Sequence, residues 1–322
     1  MGLIESSKVY SGQELENIFF RPVFADKSTD DLGFRVLYNM PMPTTIGLWT
    51  PQNGILKSYQ AGWQGDNGIT RKYCPVDMRR VKAETASSAS DYFSQVYEYI
   101  VNNADVNMQD LSGTVLEEAE TAIFKASVAE CLRVTAWMGD SEGDGDYDTF
   151  DGIIKSVYKY AVEESSSPAC KFNDEPSAEN AATILDKVWR QAGAPLRALR
   201  KDGQLAFFVT SDIYDAYEQY LDAKGADAAY RESTDGRERL CYHGIPVVDM
   251  NISHALAGSD FPSSMCILTD RRNLVLAVNT ADCPETEVRM WYNPDMMENR
   301  QRAVFLAGTA VIDPELVSFG YK

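Results

Sequence analysis

The stretch Trp137–Val157, WMGDSEGDGDYDTFDGIIKSV, holds six acidic side chains, a dense set of hard oxygen ligands. Placing Gly145 at the sixth position of a calcium loop puts Asp140 at position 1, Glu142 at 3, Asp144 at 5 and Asp151 at 12. Carboxylates at those positions would wrap the ion. Two of them depart from the template. Glu142 is one methylene too long, and Asp151 is too short to reach as the usual bidentate glutamate does. Tyr147 replaces the small aliphatic residue that normally pairs two such loops, and the chain has no second loop. The reading taken forward is a solvated connector without metal, in which Gly143 and Gly145 supply positive φ. Calcium binding by Asp140, Glu142, Asp144 and Asp151 is the alternative.

Covalent or acid–base chemistry has little to draw on. Only His243 and His254 offer an imidazole, so a general base would be one of these or a carboxylate. Cys241 precedes His243 by two residues in LCYHGIPVVDM, and a strand would put both on one face. That spacing reads as packing, because Cys–His dyads are assembled from distant segments. No G-x-x-x-x-G-K-[ST], H-E-x-x-H or G-x-G-x-x-G occurs, and the one G-x-S-x-G, GDSEG at 139–143, follows a predicted helix rather than the strand that a nucleophile elbow needs. An enzyme is therefore not expected, and a hydrolase dependent on His243 is the contrary case. Cys74, Cys131, Cys170, Cys241, Cys266 and Cys283 contain no C-x-x-C pair, so they read as reduced core residues rather than a zinc site. No cofactor is implied.

The elements that must carry these residues belong to a chain of 322 residues with 44% apolar and 11% aromatic side chains, enough for a real core. A net charge of −18 argues against a surface built to grip nucleic acid. No run approaches the ~18 apolar residues of a membrane span.

Residues 1–48 carry Phe19, Phe20, Phe24 and Phe34 without sustained periodicity. Such a segment is either a strap over its own domain or an arm across a neighbouring copy. Residues 49–80 suggest a hairpin around GDNG, rich in Trp49, Tyr59, Trp63 and Tyr73. A lone hairpin is marginal in water and needs a surface to lie on. Residues 90–102 have helical spacing. A long helix is predicted over about 114–138, with Thr114 and Glu117 as a capping box and Gly139 just past its end. Its expected buried stripe is Ile123, Phe124, Val128, Cys131, Leu132 and Thr135. Beyond the acidic loop, helices over 153–164, 178–193 and 211–224 interleave with strands over 204–210, 243–250, 264–270 and 273–279. Further strands close the chain around a turn at NPDMMENR, and the class is α+β.

This order of parts resembles the major capsid proteins of tailed bacteriophages, the HK97-like fold. The likeness rests on WMGDSEGDGDYDTFDGII after the long helix and on ATILDKVWRQAGAPLRAL, LAFFVTSDIYDAYEQYL and RERLCYHGIPVVDM further on. LTDRRNLVLAVN and ETEVRMWYN resemble the family's closing strands. The resemblance implies an N-terminal arm (1–48), an extended loop (49–80), a peripheral domain (81–150 and 265–322) with a spine helix at about 114–138, and an axial domain (151–264). It also implies self-assembly into hexamers and pentamers of an icosahedral virion shell that encloses DNA without reading its sequence. Portal, decoration or separate scaffolding proteins are the implied partners, and an encapsulin-like compartment is the related alternative. Phe19, Phe20, Phe24, Trp49, Tyr59 and Trp63 are the expected subunit contacts.

Overall fold

Helix α1, Val115–Met138, forms where its cap signals and lack of interior Gly or Pro allow it. In the computed structural model, residues 8–10, 34–51, 58–60, 62, 69–88, 115–143, 145–224, 230–232, 238–256, 259–279, 287–296 and 298–322 are described. Thr114, the helix expected over 90–102, and Phe19, Phe20, Phe24 and Trp63 lie outside them. The chain divides into two compact units, Met1–Pro41 with Met78–Gly152 and Leu276–Gly308, and Met42–Asp77 with Ile153–Val275 and Thr309–Lys322.

The first unit is built on a six-stranded sheet. Strands β1 (Lys8–Tyr10), β13 (Glu287–Asn293), β14 (Glu298–Val311), β12 (Leu274–Asn279) and β2 (Arg35–Tyr38) follow in that order, and β5 (Arg79–Ser88) also pairs with β14. Helix α1 covers one face, with Ser87 Oγ donating to Glu120 Oε1 at 2.5 Å and Thr121 Oγ1 to Met290 Sδ at 3.4 Å. The buried stripe of α1 is narrower than expected at its start. Glu120, Phe124, Val128 and Leu132 point inward at intervals of four, and everything from Leu132 to Gly139 is buried. Ile123, 62% exposed, and Cys131 are corrections to the expected stripe. Both lie off that four-residue spacing, and between Glu120 and Cys131 α1 is buried only along one line. Phe34 closes the far end, its ring 5.8 Å from that of Trp137 in an edge-on contact.

A seven-stranded sheet of order β6-β15-β11-β7-β10-β9-β8 organises the second unit. These are Ala169–Lys171 (β6), Val317–Tyr321 (β15), Met265–Asp270 (β11), Leu205–Val209 (β7), Ile245–Asp249 (β10), Glu238–Tyr242 (β9) and Tyr230–Glu232 (β8). β7 runs parallel to β10 and antiparallel to β11, and every residue of β7 and β11 is buried. Sheets covered on both faces need such unbroken apolar runs. After α2 (Ile153–Tyr158), helix α3 (Ala181–Gln191) packs its Ala181, Ile184, Leu185 and Val188 face on the core. Asn180 at its start accepts from the Ser177 amide at 2.8 Å and donates to the Glu175 carbonyl at 2.7 Å. Helices α4 (Ala194–Ala198) and α5 (Ser211–Lys224) complete the unit, α5 adding Ile213, Ala216, Tyr217 and Leu221 to the same core.

Two boundaries differ from the sequence expectation. Residues 265–275 and 309–322 belong to the second unit, because β11 and β15 pair with each other and β11 with β7. The hairpin starts earlier than 49. Its strands are β3 (Thr44–Pro51) and β4 (Ile69–Val76), in register from Thr44↔Val76 to Pro51↔Ile69, and the GDNG turn lies outside the described residues.

Candidate functional site

Asp140 and Asp151 are each engaged by donors of the acidic loop itself. Asp151 Oδ1 accepts from the Ser141 amide at 2.9 Å and from Ser141 Oγ at 2.7 Å. Asp140 Oδ1 accepts from the Glu142 amide at 3.0 Å, an Asx-turn, and its carbonyl accepts from Gly143 at 3.1 Å. Glu142 is exposed, and Asp144 lies outside the described residues. Among the described residues no group of three or more metal-ligating side chains gathers. Neither Gly143 nor Gly145 has positive φ, a correction to the role expected of them. The turn is made by side-chain acceptance rather than by left-handed backbone.

The glycines at the two ends of the loop do the structural work. The Gly152 amide donates to the Gly139 carbonyl at 2.7 Å, and Gly139 donates to Thr135 at 2.7 Å. A Cβ on Gly139 would lie 2.1 Å from the Phe150 carbonyl oxygen, and one on Gly152 would lie 2.5 Å from the Gly139 nitrogen. Both positions are glycine because backbone meets backbone there. The clasp closes the loop that follows α1, over a buried Phe150.

The His243–Cys241 spacing also has a different cause from the one expected. His243 (φ 52°) and Gly244 (φ 78°) are the two central residues of the β9–β10 hairpin, the left-handed pair of a type I′ turn. Cys241 is therefore buried in β9 while His243 stands exposed in the turn, with its carbonyl accepting from the Arg200 guanidinium. They do not share a strand face. Next to them, Tyr242 donates to Asp186 Oδ1 at 3.3 Å, and burial followed by that carboxylate pushes its phenol up to about 12. Burial, and after it the charge of nearby Cys170, pushes the Cys266 thiol well above its ordinary value, so it is no ready nucleophile.

What stands out instead is the β3–β4 hairpin. It forms a two-stranded sheet of its own. Arg71, Lys72, Tyr73 and Pro75 are exposed on β4, as are Thr45 and Gly47 on β3. Tyr73 is 65% exposed, Met42 just before β3 60%, and Tyr59 beyond it 95%. Trp49 takes the register position opposite Arg71. Of the expected contact residues, the structure thus places Trp49 and Tyr59 on this element.

Its base is tied down by residues that sequence reasoning missed. Lys72 Nζ donates to Glu315 Oε1 at 3.1 Å and lies 3.6 Å from Asp313 Oδ1. The hydrogen bond to Glu315 is the first cause that raises the lysine's pKa. Cys74 Sγ donates to the Val311 carbonyl at 3.5 Å. No local pattern could join residues 243 positions apart in the chain.

No family model matches the chain, and no curated protein matches it in sequence. Solved structures do match. A chain of the satellite phage P4 procapsid superposes with a TM-score of 0.53 at 12% identity, over 94% of this chain and 90% of that one. A chain of the capsid of the empty GTA particle gives 0.51 at 15% identity, over 92% and 90%. The holo-SrpI encapsulin complex from Synechococcus elongatus gives 0.45 at 11%, over 88% and 84%. The fold is the α+β HK97-like capsid fold.

Proposed function

We propose that this chain is the major capsid protein of a tailed double-stranded DNA bacteriophage, a structural subunit without catalytic chemistry. Copies close into hexamers and pentamers of an icosahedral head. In this reading β3–β4 is the extended loop, the six-stranded sheet with α1 the peripheral domain, and the seven-stranded sheet the axial domain. The hairpin carries the reading. A two-stranded sheet is marginal alone, and large side chains such as Tyr59 and Tyr73 held in water find cover when a second copy supplies it. The fold shared with phage and GTA capsid chains supports the same conclusion.

The acidic balance suits a container, since a wall that gripped its genome would hinder packing and release. The subunit is then found in the virion, with itself as chief partner and portal, scaffolding or decoration proteins as others. Light scattering and electron microscopy of the purified full chain test this. Closed shells of many copies are expected, and a protein that stays monomeric at every concentration would overturn the reading.

A further inference from the structure

The six-stranded sheet has a second face, opposite α1, and its chemistry is unlike that of the rest of the chain. Directly opposed residues of an antiparallel pair point the same way, so the register sorts the side chains. Ser87, Asn299, Met290 and Gln301 lie on the α1 side. The other side takes Arg80 and Lys82 from β5, Arg300 and Arg302 from β14, and Arg289 from β13. Arg302 is directly across from Arg289, two like charges at one rung. Glu84, Glu298 and the register position of Glu287 share this side, and Lys82 pairs with Glu84 at 2.8 Å and Arg300 with Glu298 at 3.2 Å. Among the described residues of β5, β13 and β14, five cations meet three carboxylates on this side, in a chain with 48 acidic and 30 basic residues.

The complementary surface is the loop between the two clasping glycines. Asp140, Glu142, Asp144, Asp146, Asp148 and Asp151 lie there with no lysine or arginine among them. Glu142, Asp146 and Asp148 are exposed. Within one copy the loop follows α1, which lies on the other face of the sheet. The loop begins 20 residues beyond Glu120, about 30 Å along the helix. A second copy has no such obstacle. We propose that the basic sheet face of one copy docks the acidic loop 140–151 of a neighbouring copy, which deepens the shell reading above and rests on it. The contact sets the angle between subunits by charge and weakens with salt, because exposed pairs are screened within about 10 Å at 0.1 M. Phosphate groups of an enclosed genome are the competing occupant, disfavoured by the carboxylates interspersed on the same face.

Shells assembled from a mixture of 15N-labelled and unlabelled full-length chain are treated with a carbodiimide, which joins lysine to carboxylate without a spacer. Mixed-isotope crosslinks from Lys82 to Glu142, Asp146 or Asp148 are expected. In parallel, R300E/R302E lowers shell yield about tenfold, D146K/D148K does the same, and the four changes together restore it. Each variant is checked for an unchanged melting temperature. If the unmodified chain forms no shells, the capsid reading has failed. If shells form without those crosslinks, or the combined variant is no better than either parent, the docking proposal is wrong. Normal R300E/R302E shells that lose only their DNA would hand the face to phosphate and also overturn it.

Discussion

Strands β7 and β3 are both short, extended and rich in apolar or β-branched residues, yet they stand at opposite ends of self-sufficiency. β7 has β10 on one side and β11 on the other, and Leu205, Ala206, Phe207, Phe208 and Val209 are all buried. Among the described residues β3 pairs with β4 alone, and Thr45 and Gly47 on β3 and Arg71, Lys72, Tyr73 and Pro75 on β4 face water. The first strand is enclosed by its own molecule, whereas the second belongs to a hairpin tied to it through Lys72 and Cys74 while Tyr73 stays in water. In a shell subunit that division is expected: one region must hold its shape before assembly, and the other must wait for a partner.

Truncating the self-sufficient side should have the largest effect on the isolated chain. Phe207→Ala empties a fully buried site between α3, α5 and Tyr242, whose ring is 5.9 Å away. A loss of about 3–5 kcal/mol is expected, read as a fall in the denaturation midpoint. Little change would mean that this sheet is not the rigid half of the comparison.

The glycine clasp comes next. Gly152→Ala would place a methyl 2.6 Å from the Trp137 carbonyl, and only backbone could move to admit it. The expected cost is about 1–3 kcal/mol, with helical content retained by circular dichroism. Ser141→Ala, which removes one hydrogen bond to Asp151 from the same loop, should cost no more than about 1 kcal/mol. Equal effects from the two would show that the loop, not the backbone contact, fixes the turn.

The legible parts of this fold are those whose cause is local. Unbroken apolar runs marked β7, β11 and β12, and the α3 face showed in the spacing of Ile184, Leu185 and Val188. Long-range causes left no trace. β11 was expected with the closing strands, and only its pairing with β7 moves it to the other sheet. Gly139 looked like a helix stop, whereas its glycine is required by the Phe150 carbonyl eleven residues on. At the candidate site, Tyr59 and Trp49 were recognisable as large side chains on an isolated hairpin. The Lys72 anchor was not, because Asp313 and Glu315 are two unremarkable acids near the far end of the chain.

The smallest effects on the fold give the sharpest test of the contrast. Lys72→Ala removes exposed ion pairs worth under about 1 kcal/mol after solvent screening, so the melting temperature should hardly move. Assembly should still slow, because the hairpin loses the tie that sets its angle. Tyr59→Ser goes further. With 95% of its surface in water, Tyr59 contributes to the isolated subunit no more than about 0.5 kcal/mol. Its removal should leave thermal unfolding unchanged while light scattering shows fewer large particles. A drop in stability comparable to that of Phe207→Ala would mean the hairpin already has its cover at home, and the two strands would then differ only in degree.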